Sequence, residues 1–190
     1  DTDCAQANTA MYLAGGLTSK NVSHTIAAVA RAIAGARSLV AIECGAQGPT
    51  KDCGYENPIV KAIASVPICA EGKNATCAHS DLMGNLTAAV CDVWSNESVY
   101  NREEMGGPTP GVWLQSLGYE CALMNTATQI GTNKQLRDTY VLADKYRDPQ
   151  GVILAYDNAY KIGEAITAEG EDIYLRSRAA AIRAMELINE

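Results

Sequence analysis

Apolar positions recur along this chain in two rhythms. From about Lys20 to Ala34, the residues Val22, Ile26, Val29 and Ile33 fall at spacings of four, three and four, which is one face of a helix. Gly35 is expected to end that helix. Leu39, Val40, Ala41 and Ile42 then form an apolar run bounded by turn-formers, too short for a globular helix, and it reads as a fully buried strand. Past it, Gly45, Gly48, Pro49 and Gly54 predict a long loop that carries Cys44 and Cys53, followed by a helix opening at Pro58 with Asn57 as N-cap. Val66 to Ala70 (VPICA) reads as a second short strand. Strand and helix alternate here, which implies parallel strands with helical crossovers.

Upstream, AQANTAMYLA after Cys4 is helix-compatible and stops at Gly15-Gly16. Downstream, EGKNATCAHSDLMG is polar and turn-rich, a second long loop, and Asn85 to about Trp94 predicts another helix. After MGGPTPG the pattern changes to helices without strands, over 112–130, 134–146, 152–168 and 172–189. In the first of these, Leu114, Leu117, Cys121, Met124 and Thr128 make a stripe. The expected class is therefore α/β. Residues 1–106 read as part of a TIM-type α/β barrel and 107–190 as a helical C-terminal region; the chain opens without an initiator Met, by processing or as a piece of something longer. Catalytic groups of such barrels sit on strand-to-helix loops, which makes the stretch from Ser38 to Ala64 the expected active-site segment.

Composition narrows the function. With 190 residues, 47% of them hydrophobic and 19% charged, the chain can bury one sizeable core. Its net charge of −7 argues against a nucleic-acid partner, which would require clustered Lys and Arg. No apolar stretch approaches the roughly 20 residues that span a bilayer, and no signal-peptide pattern opens the chain, so a soluble, cytoplasmic protein is expected. Seven cysteines is an odd number in a chain too large to need disulfide staples, and most fit the role of small buried hydrophobes. The sequons at Asn21, Asn74, Asn85 and Asn96 would matter only in a secreted protein.

Thiolates bind zinc tightly, and a catalytic zinc uses three protein ligands with a fourth position open. Cys4 and Cys53, 49 residues apart, each stand where a strand is expected to hand over to a helix. That spacing is far less specific than a paired C-x-x-C motif. Glu43 and Cys44 could reach the same place, although alternation along the expected strand points Glu43 away from Cys44. Cys77 and His79 with Asp81 form another possible ligand cluster, but their spacing suits a hydrogen-bonding role better. Asp52, Tyr55 and Glu56 flank Cys53 and read either as groups that support a ligand or handle protons, or as ordinary loop polar residues. His24 is expected on a helix surface, and Arg176, Arg178 and Arg183 on a solvated face of the last helix.

The runs DCGYENP, EGKNATCAH, MGN, DVWSNES and ECALMN resemble the zinc-bearing subunit of methanol:corrinoid methyltransferase of methanogenic archaea, over most of the chain. The resemblance implies a longer α/β barrel with added helices, of which residues 1–106 are the C-terminal βα units, and a zinc held by one Glu and two Cys. Cys4 and Cys53 match the two cysteines, while the Glu is expected upstream of Asp1. It also implies transfer of the methyl group of methanol to the Co(I) corrinoid of a partner corrinoid-binding protein, with zinc acting as a Lewis acid on the oxygen. Asp81 and His79 are then the candidates for an acid near the leaving oxygen. A hetero-oligomer follows, with the helices after Gly111 as docking platform. A related methyltransferase for another C1 donor, or a non-catalytic partner-binding fragment, are the alternatives.

Overall fold

One helix runs straight through the place where the apolar rhythm was expected to change. In the computed structural model, which describes residues 20–46, 56–65, 73, 84–90 and 110–190, α1 spans Lys20–Glu43. Then come α2 (Asn57–Ala64), α3 (Gly84–Val90), α4 (Pro110–Gln129), α5 (Asn133–Asp144), α6 (Pro149–Leu154), α7 (Tyr156–Thr167) and α8 (Ile173–Asn189). No strand occurs among the described residues.

The expected α/β class, a TIM-type barrel portion, is therefore corrected: what these residues form is helical. Leu39 to Ile42, expected as a strand, are the closing turns of α1. The alanine-rich run before them favours helix, and a tertiary contact replaces the stop expected at Gly35. Gly35 lies within α1, and a Cβ there would sit 2.9 Å from Cγ2 of Ile59 on α2. Gly35 is thus a point of close helix approach. The true stop is Gly45 at φ +95, where the amides of Gly45 and Ala46 donate to the carbonyls of Ile42 and Ala41, both at 2.9 Å, in a Schellman closure. The second expected strand, 66–70, and the helix expected over 5–14 lie outside the described residues.

The core takes only part of the expected face of α1: Val29 packs against it. Ile26 and Ile33 are exposed at 43% and 36%, while Ala28, Ala32 and Ala36 are fully buried. Small residues on the inner face let α1 lie close to α2, α6 and α8. Ile59, Ile153, Ile162 and Ala184 from those helices and from α7 complete the centre. Over His24–Glu43 this helix has the length and mean hydropathy, 1.5, of a membrane span, contrary to the sequence expectation. It is nevertheless the central helix of a bundle, and Arg31 is buried on it.

Polar contacts set how the other helices meet. His24, expected at the surface, is buried and pairs with Asp148, whose other oxygen accepts the Gln150 amide at 2.7 Å and so caps α6. Asp144 at the end of α5 accepts the Leu86 amide and the Asn85 side chain at 2.9 and 3.0 Å, holding the first turn of α3. The helix expected over 152–168 is broken at Ala155, which has ψ 133. There the Asn158 side-chain Nδ2 donates to the freed Val152 carbonyl at 2.9 Å. Arg176 leaves the expected solvated face and is buried, while Arg178 is exposed.

Gly151 offers a test of this packing. A Cβ at that position would lie 2.8 Å from the Asp144 carbonyl oxygen. Gly151→Ala should destabilise the fold by about 1 kcal/mol or more, although alanine is the better helix former by roughly 1 kcal/mol. Denaturant unfolding checks the sign, and a stabilised variant would refute the close contact.

Candidate functional site

Cys4, Cys53, Cys77, His79 and Asp81 lie outside the described residues, as do Asp52 and Tyr55. The structure defines instead the two ends of the segment that carries Cys53 and one hold on the segment that carries Cys77, His79 and Asp81.

The first end is the C-terminus of α1. Glu43 receives both terminal nitrogens of the Arg176 guanidinium, at 2.7 and 3.0 Å. Arg176 also donates from Nε to the Gly170 carbonyl. This fork-to-carboxylate geometry fixes both partners in plane. The Arg176 hydrogen bond holds the Glu43 carboxyl below its ordinary range. Glu43 is thereby committed to a guanidinium, which argues against it as a metal ligand. Cys44 beside it is exposed.

The second end is Glu56. Its carbonyl accepts the amides of Ile59 and Val60 at 2.9 and 3.1 Å, starting α2, so the expected cap Asn57 lies inside the first turn instead. The Glu56 side chain is 1% exposed. Ser38 Oγ of α1 donates to Oε1 at 3.1 Å, while Oε2 has no hydrogen-bond partner. Burial pushes this carboxyl up. Its own backbone amide, the Ser38 hydroxyl and the charges of Arg31 and Arg37 oppose that shift. Arg31, also buried, donates from Nε to Gln150 Oε1 at 2.6 Å and so links α1 to α6 beside the same carboxyl. A buried polar atom left unpaired costs about 1–3 kcal/mol. Glu56 is therefore no ordinary loop residue.

The third contact is one that sequence reasoning missed. Glu120 on α4 accepts the Lys73 amide with both oxygens, at 3.0 and 3.2 Å. The Lys73 ammonium stands 5.8 Å from the centre of the Tyr140 ring on α5. Burial pushes Glu120 up as well, against the amide and charge of Lys73. The signal was present in the sequence, since Glu120 is the sole charged residue in α4, PGVWLQSLGYECALMNTATQ. Among the described residues, no three His, Cys, Asp or Glu side chains are grouped to hold a metal.

Comparison with known proteins agrees with the motifs. The family model described as methanol-cobalamin methyltransferase B subunit matches residues 1–190. The methanol–corrinoid protein co-methyltransferase of Methanosarcina barkeri (strain Fusaro / DSM 804) is 59% identical over 100% of this chain. The chain spans 41% of that relative's length. The crystal structure of the methanol:cobalamin methyltransferase complex from Methanosarcina barkeri is similar with a TM-score of 0.82 and 57% identity, over 100% of this chain and 41% of that one.

The raised carboxyl of Glu56 has a signed consequence. Below its ordinary value of 4.5, both the folded and the unfolded chain hold the proton. As pH rises, the unfolded chain ionises first, so folding loses stability through this group until the folded carboxyl also ionises. Glu56→Gln lacks that loss. Denaturant midpoints at pH 4 and pH 8 should show the variant gaining on the native chain toward pH 8, and a gap independent of pH would contradict the assignment.

Proposed function

Because this chain belongs to the methanol-cobalamin methyltransferase B subunit family, we propose that it is part of an enzyme that moves the methyl group of methanol onto a Co(I) corrinoid carried by a partner protein. The identity of 59% across every residue, with a methanol–corrinoid protein co-methyltransferase, is the observation that carries this reading. The net charge of −7 fits a protein partner better than nucleic acid. The setting is the cytoplasm of an organism growing on methanol by methanogenesis, and the working assembly is a hetero-oligomer with the corrinoid-binding protein.

Zinc is the metal proposed for the site. Cys4 and Cys53 supply two thiolate ligands, and a glutamate elsewhere in the full-length polypeptide supplies the third. Thiolates suit zinc, and three ligands leave room for substrate. Zinc, when bound, supplies Lewis acidity toward the methanol oxygen, the same effect that brings the pKa of a bound water from 15.7 to about 7.

The residues of this chain do the remaining work. Arg176 with Glu43, and Ser38 with Glu56, hold the two ends of the segment bearing Cys53. Glu120 holds the segment that carries His79 and Asp81 through the Lys73 amide. Asp81 or His79 delivers the proton that lets the oxygen leave as water. The helices after Gly111 also share one core with α1, through Ile153, Ile162, Ala180 and Ala184. They therefore cannot act only as a removable docking platform for the partner.

Zinc content and methyl transfer to a corrinoid protein, measured on the full-length polypeptide, test the reading. Cys4→Ser and Cys53→Ser should each lose most of the metal and reduce transfer by 100-fold or more, on the order expected when a reaction loses its metal. Stoichiometric zinc in both variants would reject these ligands. Asp81→Asn or His79→Gln should keep the metal while slowing transfer by roughly 10²–10⁴-fold, the usual range for a general acid.

A further inference from the structure

We draw no further inference here: the strongest candidate, the exposed apolar face of α4 that carries Tyr119 and Leu123, is a surface patch for which nothing in the structure shows what covers it.

Discussion

The close approach of helices around the inner face of α1 is the constraint on which the rest of this structure depends. Ala28, Ala32 and Ala36 present almost no side chain to their neighbours. The backbones of α2, α6 and α8 can therefore lie against one helix. At Gly35 the approach is so tight that even a methyl group would meet Ile59 at 2.9 Å. Packing at this distance leaves little freedom for adjustment, because interiors are filled to crystal-like density. Polar groups then decide the remaining orientations. The buried His24–Asp148 pair sets α1 against α6, and Arg176–Glu43 sets it against α8. The partners of each pair lie 124 and 133 residues apart in sequence, so these orientations depend on the tertiary packing and not on local signals.

That order of dependence explains what the sequence made legible. Helices whose signals are local were readable: α2 from Pro58, α8 from its start at Asp172, whose carboxylate accepts the Leu175 amide at 2.9 Å, most of α4 from its stripe, and α5 as the helix expected over 134–146. The readings that failed rested on treating local signals as sufficient. Leu39 to Ile42 form a respectable strand pattern, and nothing nearby reveals that they continue α1 as helix, with Leu39 buried and Ala41 exposed. Ile26 and Ile33 look like a core stripe, yet the larger residues stand outside because only small ones fit within. The break at Ala155 has no glycine or proline to announce it; the Asn158 side chain, donating from Nδ2 back to the Val152 carbonyl, makes it tolerable. His24 and Arg176 were placed at the surface by residue type alone, whereas each is buried with a distant carboxylate.

The candidate site was legible in a different way. Cys4 and Cys53 are expected as ligands from the family resemblance, and His79 and Asp81 only as candidate acids, since their spacing is too ordinary to stand alone; all four lie outside the described residues. The groups that hold their segments carry weaker signals. Glu56 stands inside the DCGYENP motif and could be weighed from sequence. Its burial could not, because that depends on Ser38 across the helix junction. Glu120 was noticeable only as the lone charge of α4, and its partner is a backbone amide, which sequence does not advertise.

Three carboxyls thus frame the expected metal-binding segments, and physical chemistry sets them against one another. Glu43, at the rim and paired with Arg176, is held below its ordinary range. It contributes while ionised, and that contribution is lost as pH falls through its depressed value. Glu56 and Glu120 are shifted upward by burial, so their strain grows as pH rises toward their raised values. Acid therefore loosens the α1 end of the Cys53 segment, while base burdens the α2 end. Both ends are at ease only between the lowered range of Glu43 and the ordinary carboxylate value of 4.5, above which Glu56 begins to cost stability.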